Sequence, residues 1–266
     1  MLTRVITSVV ALAVFAAVIA APPMVFQCAV GIIIIAMLYE CVHIMTKSVL
    51  VKAAGIICGG LIAAGAVMSD VLPFATFTVT IFMIITVFMH RRTDYKEIFS
   101  VGFMTLYISI FMSCASLMCK DFGIVPTLII FICAWSTDTG AYFAGSLFGK
   151  HKLIPHVSPK KTVEGAIGGI FSAMLCCMIY MFIITLMGMD IVGLSGFAGY
   201  AVIGGVGIIV SAISQLGDLV ASAVKRDCGV KDYGKIFPGH GGFMDRFDSV
   251  IIIAPLIYYI IRMFAA

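Results

Sequence analysis

Charge is what this sequence has least of. Asp, Glu, Lys and Arg together make up 11% of its 266 residues, while apolar side chains make up 62%. Soluble domains carry about a quarter charged residues, and a mean hydropathy of +1.16 excludes that class. No polar stretch is long enough to fold as a soluble domain of its own. The nine cysteines lie mainly in apolar runs, and none has CxxC or metal-finger spacing. That excludes zinc-ribbon and thioredoxin-type motifs and leaves the thiols as small apolar fillers. Cys228 alone lies in a charged segment, where a structural or incidental role is favoured over catalysis. No internal repeat is apparent.

What remains is an all-α polytopic membrane protein. A span takes about 20 mostly apolar residues, and nine are expected, near 5–21, 24–46, 49–68, 71–89, 99–118, 123–145, 165–187, 197–223 and 247–265. Arg4 and the small residues near Ala20 and Ala21 also suit a signal peptide. The apolar run is long for one, however, and it leads into further apolar spans instead of a secreted domain. With the N-terminus in the cytoplasm, every Lys and Arg except Lys120 and Arg262 falls on the cytoplasmic side. The outer loops near Pro22–Pro23, Asp70 and Asp190 have none, as the positive-inside rule requires. The net charge of +4 is then topology and headgroup attraction, not nucleic-acid binding. The expected location is the cell membrane, multi-pass, with the polar segments facing the cytosol. A single integral domain is expected, with residues 1–120 as scaffold helices and 121–266 as the catalytic half. The scaffold half is nearly featureless apart from small-residue patterns such as Gly55 and Gly59, and homodimer contacts are assigned to it.

Against this background the segment from Ser222 to Asp248 stands out. It holds Lys225, Arg226, Lys231, Lys235 and Arg246, four aspartates, His240, and glycines at 229, 234, 239, 241 and 242. Polar groups beside a membrane need pairing, hydration or ions. Upstream, Ser214, Asp218, Ser222 and Lys225 share one helical stripe. Ser and Gln there suit interhelical hydrogen bonding, but an unpaired Asp218 is costly. Asp245 and Asp248, at i and i+3 on the last span, gain from its helix dipole. Carboxylates converging from two helices make a hard-oxygen site suited to Mg²⁺. Between them, Pro238-Gly239-His240-Gly241-Gly242 reads either as a plain turn or as a backbone nest for phosphate. His240 has three candidate roles: phosphate donor, acid/base, or structural tie.

Two further clusters lie in the same half. Trp135 to Tyr142 places Asp138 inside a span among hydroxyl groups. Ser158 to Gly165 joins a Ser-Pro turn to Lys160, Lys161 and Glu164. There the lysines fit a positive-inside anchor and a substrate contact equally well.

At these residues the sequence resembles the CDP-diacylglycerol synthases (phosphatidate cytidylyltransferases). The family signature S-x-hydrophobic-K-R-x4-K-D-x-G-x2-F-P-x-H-G-G-x2-D-R-x-D is met from Ser222 to Asp248 without departure. The resemblance is dense over residues 130–250. It implies transfer of CMP from CTP to phosphatidic acid, releasing pyrophosphate and yielding CDP-diacylglycerol for phospholipid synthesis. It also implies one or two Mg²⁺ ions on Asp218, Asp245 and Asp248, with a monovalent ion as a further candidate. Lys225 and Ser222 lie beside them. Asp138, Lys160, Lys161, Arg226, His240, Gly241, Gly242 and Arg246 are the expected substrate contacts. A phosphate monoester nucleophile is largely dianionic near neutral pH, so such a site needs charge neutralisation more than a base. The rivals are a CTP-dependent isoprenoid-lipid kinase and a synthase acting on ether lipids. A transporter is disfavoured, because polarity is concentrated in one half.

Overall fold

The computed structural model describes residues 2–68, 70–191, 193–194, 196–237 and 241–265. Among them are nine helices: α1 (Leu2–Ala20), α2 (Pro23–Met45), α3 (Val49–Met68), α4 (Leu72–Met89), α5 (Tyr95–Phe122), α6 (Ile124–Phe148), α7 (Val163–Leu186), α8 (Gly196–Asp227) and α9 (Met244–Ala265). In hydrocarbon every backbone N–H and C=O must be satisfied within the chain, and continuous helices do so. Among the described residues eight helices, α2 to α9, are long and apolar enough to cross a membrane. The described apolar part of α1, Ile6–Ala20, is shorter. The chain is a multi-pass membrane protein.

One element departs from the helical expectation. Between α6 and α7 the chain forms a hairpin of β1 (Lys152–Ile154) and β2 (Ser158–Thr162), antiparallel, with Lys152 opposite Thr162 and Ile154 opposite Ser158. The Ser158-Pro159 pair therefore opens an edge strand, not a turn. Proline is tolerated at the first positions of such a strand, where its missing N–H costs nothing.

Contacts divide the chain into two compact units. The first is Met1–Asp121 with Asp227–Phe247. It packs Val42, Val51, Phe82, Ile85, Ile98 and Val101 into a core. Small residues bring its helices together: a Cβ at Gly59 would sit 2.0 Å from Leu38 Cδ1, and one at Gly102 3.0 Å from the Phe82 ring. The Lys120 ammonium donates to the Val67 carbonyl in the last turn of α3, which gives this exception to the charge asymmetry a structural role at a helix C-terminus.

The second unit is Phe122–Arg226 with Asp248–Ala266. Here α6 and α7 pack almost backbone to backbone. A Cβ at Gly140 would meet Ser172 Cβ at 2.3 Å, and one at Gly168 would meet Ala144 Cβ at 2.2 Å. Such small-residue faces permit close helix approach in lipid. Thr137 Oγ1 donates to Ser211 Oγ at 2.8 Å, tying α6 to α8. Gln215 Nε2 donates to the Ala166 carbonyl at 3.1 Å, tying α8 to α7. Arg262, the other exception to the asymmetry, donates to Tyr258 Oη at 3.3 Å on its own helix.

Candidate functional site

The site in the second unit begins with the length of α8. Its 32 residues at about 1.5 Å each reach about 48 Å, against a hydrocarbon core of about 30 Å. The helix is thus longer than the hydrocarbon requires. The stripe Asp218, Ser222 and Lys225 falls on its last turns, and all three side chains are half-buried.

Close packing at Gly217 brings α9 against this stripe. A Cβ there would lie 2.6 Å from Ile252 Cγ2 and 2.9 Å from the Asp248 carbonyl. Asp248 is 8% exposed and lies within electrostatic reach of Asp218, Asp138 and Lys225. Its Oδ1 accepts the Ser249 N–H at 2.7 Å. Ser222 Oγ donates to Asp218 Oδ1 at 3.4 Å.

The hairpin adds a cation. Lys161 Nζ is 2.7 Å from Asp218 Oδ2 and 3.4 Å from the Gln215 carbonyl. Strand alternation separates the two lysines: Lys161 is half-buried on the Asp218 side and its neighbour Lys160 is exposed. The hairpin is itself anchored. Thr162 caps α7 by accepting the Gly165 N–H at 3.1 Å. Glu164 accepts the Lys150 N–H at 3.1 Å and the His151 N–H at 3.2 Å, and it pairs with His151 Nδ1 at 2.6 Å. The sequence pattern marks Glu164 only as a first-turn carboxylate. Its service to the preceding loop depends on a hairpin that the pattern does not announce.

Carboxylates from α6, α8 and α9 therefore face ammonium groups from β2 and α8. Asp218 and Asp248 are hard oxygen donors, which suits a Mg²⁺ ion that keeps several waters and takes its other ligands from substrate phosphate. Among the described residues no group of three or more His, Cys, Asp or Glu side chains is placed to hold a metal ion unaided. Ser214 Oγ, buried on the same stripe, has no hydrogen-bond partner among the described residues.

In the first unit, described residues between Cys228 and Phe243 gather on two carboxylates. Asp245 Oδ2 accepts the Tyr233 N–H at 2.9 Å and the Gly242 N–H at 3.0 Å. The Gly242 amide thus serves Asp245 in this structure. Gly241 adopts φ +83°, a left-handed conformation that favours glycine, and its carbonyl accepts the Phe237 N–H at 2.9 Å. Arg246 is exposed. His240, with Pro238 and Gly239, lies outside the described residues. Burial, and then the neighbouring Asp227 charge, push the Cys228 thiol above its ordinary pKa. A neutral thiol at physiological pH is a poor nucleophile.

The second of these carboxylates comes from α2. Glu40 is 4% exposed, and its Oε2 accepts the Met244 N–H at 3.0 Å, across 204 positions of sequence. The scaffold half is thus not featureless. The single acidic residue of a largely apolar span of 23 residues was the available signal.

Comparison with known proteins agrees with this picture. Residues 2–264 match the model of the cytidylyltransferase family. The phosphatidate cytidylyltransferase of Bacillus subtilis (strain 168) is 36% identical over 201 residues, 73% of this chain and 69% of that protein. Those of Staphylococcus aureus (strain COL) and Staphylococcus saprophyticus are 40% and 41% identical over 157 residues, 59% of this chain. In the two staphylococcal alignments the chain spans about half of the relative, 53% of its length. Carboxylates and ammonium groups set beside apolar spans, together with a family match over residues 2–264, place this chain in the cytidylyltransferase family.

Proposed function

We infer that the chain is an enzyme that transfers a cytidylyl unit from CTP to phosphatidate, forming CDP-diacylglycerol and pyrophosphate. The observation that carries this reading beyond family membership is the cluster in the second unit. Asp248 is buried within reach of Asp218, Asp138 and Lys225, and Lys161 is held on Asp218. Among the described residues this constellation is made mainly of carboxylates and ammonium groups, with the Ser222 hydroxyl donating to Asp218 at 3.4 Å. It suits a reaction in which the substrate brings its own nucleophile.

In the proposed reaction a phosphate oxygen of phosphatidate attacks the α-phosphorus of CTP. The new P–O bond forms as the bond to the β-phosphate oxygen breaks, and pyrophosphate leaves with that electron pair. No proton must be removed from a phosphate already dianionic near neutral pH. The difficulty is bringing two polyanions together, and positioning with electrostatic stabilisation is what such transfers require. Lys161 and Lys225 supply fixed positive charge beside the carboxylates. Arg226 and Arg246, both exposed, are the guanidinium candidates for the leaving diphosphate, since guanidinium matches phosphate in bidentate fashion. Asp218 and Asp248 would hold a divalent metal, with Asp245 as the third carboxylate of the signature. When bound, such a metal supplies positive charge to the phosphate oxygens. Asp138, exposed on α6, is a candidate substrate contact within electrostatic reach of Asp248.

Placement of the stripe on the last turns of a helix longer than the hydrocarbon requires also suits an amphiphilic substrate, whose acyl chains stay in the bilayer while its phosphate reaches the turns around Asp218. The concentration of Lys and Arg on this side supports a cytoplasmic orientation, where CTP is supplied.

Purified chain in mixed micelles, given phosphatidate, Mg²⁺ and CTP labelled at the α-phosphate, is expected to yield labelled lipid on thin-layer separation. CTP labelled at the γ-phosphate is expected to leave the lipid unlabelled. Label passing from the γ-position alone would make the chain a lipid kinase and overturn the reading.

A further inference from the structure

We propose that Glu40 of α2 is a positioning residue for the reaction, a carboxylate that shapes the segment running into α9 from a helix remote in sequence. The proposal rests on the activity inferred above and adds a residue to it. Three observations carry it, all within the first unit.

The first is the bond itself. Glu40 Oε2 accepts the Met244 N–H at 3.0 Å. Met244 opens α9, so this amide is one of the initial N–H groups that no residue of the helix itself satisfies. Local side chains usually cap such groups. Here the acceptor comes from another helix, and it fixes the position of the turn that bears Asp245.

The second is the fit around the carboxylate. A Cβ at Gly242 would lie 2.2 Å from Glu40 Oε2, and a Cβ at Gly234 would lie 2.2 Å from Glu40 Oε1. Real Cβ atoms do not come so near an oxygen, so two glycines of the charged segment are needed to make room for one side chain. Gly242 is buried and is not one of the glycines with positive φ. Its lack of a side chain is therefore explained by Glu40 and not by backbone conformation.

The third is the setting. Glu40 is 4% exposed, and among the described residues its Oε1 has no hydrogen-bond partner. A buried carboxylate with an unsatisfied oxygen is costly. Packing alone would be served as well by Leu or Met. What a carboxylate adds here is an acceptor aimed at the start of α9.

Glu40 and Asp245 thus each take backbone donors of this segment: Glu40 holds Met244 with Phe243 beside it, and Asp245 holds Tyr233 and Gly242. Removing Glu40 frees the first turn of α9 to move, and with it Asp245. Misplacement by about 1 Å is enough to cost roughly 100-fold in rate.

The test uses the full chain in detergent and two readouts, amide hydrogen exchange over 233–247 and cytidylyl transfer. Glu40→Ala is expected to lose protection at Met244 and about 100-fold in kcat, with little change in KM for CTP. Glu40→Gln keeps an acceptor oxygen and is expected to restore protection and at least about a tenth of the wild-type kcat. Gly242→Ala is expected to be severe alone and milder beside Glu40→Ala, since the clashing oxygens are then gone. Unchanged exchange in Glu40→Ala overturns the proposal whatever the activity. So does lost protection with wild-type kcat, or a Gly242→Ala cost that is equal in both backgrounds. A wild-type chain without cytidylyl transfer would instead overturn the inferred activity, and the exchange and glycine experiments, read out by thermal stability, would still decide whether Glu40 shapes the segment.

Discussion

Both units of this protein bury carboxylates, and they use them differently. In the first, Glu40 and Asp245 accept backbone N–H groups of the segment before α9. In the second, Asp218 and Asp248 face ammonium groups and one another. A carboxylate that serves as an acceptor can be replaced by a neutral amide of the same shape at modest cost. One that serves by its charge cannot. The same residue type thus shapes the backbone in one unit and concentrates charge in the other.

The largest effect is expected where charge is the function. Asp218→Asn and Asp248→Asn each keep shape and remove the negative charge, and each should lower turnover by about 10²- to 10³-fold while the protein still elutes as a folded species in detergent. Near-normal CDP-diacylglycerol formation by both would erase the distinction between the units. Asp245→Asn sharpens it, because the residue stands under both descriptions. Its amide oxygen can still accept from Tyr233 and Gly242, so exchange protection should persist. Turnover should nevertheless fall by at least about tenfold if the charge also matters. Equal activity in Asp245→Asn and wild type would assign that residue to the backbone alone.

Next comes the packing that holds the second unit's charges together. Gly217→Val must push α9 away from α8, and overpacking of this kind costs about 1–3 kcal/mol. The expected result is a lower thermal midpoint with a loss of activity greater than the stability change explains. Smaller again is the contrast within β2. Lys161→Met should reduce kcat by about tenfold or more through loss of the Asp218 partner, whereas Lys160→Met should stay within about threefold, as for an exposed charge. Equal effects would mean that the strand's two faces are not functionally distinct. The smallest effect concerns Cys228. With its thiol held protonated, alkylation by a maleimide should be slow at pH 7 and accelerate as pH rises past the ordinary thiol range. Cys228→Ser should leave turnover within about twofold.

How much of this the sequence disclosed depends on which interactions are local. Helices from α2 onward were legible because lipid demands continuous apolar runs, and run length is read directly. The stripe from Ser214 to Lys225 was legible because its period belongs to one helix. The partner of Asp218 was not: Lys161 reaches it only through a hairpin whose short strands leave no clear alternation in sequence. Which of the two lysines matters was likewise undecided until strand geometry set them on opposite sides. Glu40 was hidden by distance, since nothing in its own span points to Met244. Gly242 carried a real signal, read as part of a turn or a phosphate nest, and Gly234 was read only as a position of the signature. In the structure the space at both positions is taken by a carboxylate from α2.

The membership of Asp227–Phe247 in the same unit as α1 to α5 has a practical consequence for recombining this protein with its relatives. A chimera cut once, near residue 121, would join the N-terminal helices of one parent to the charged segment of another. The pocket that two glycines leave for Glu40 would then meet whatever side chain the other parent carries there. Parental pieces should be exchanged as a discontinuous pair, residues 1–121 together with 227–247, so that each segment travels with the helix that shapes it. Libraries built on the single cut are expected to yield fewer active members than libraries built on the paired one.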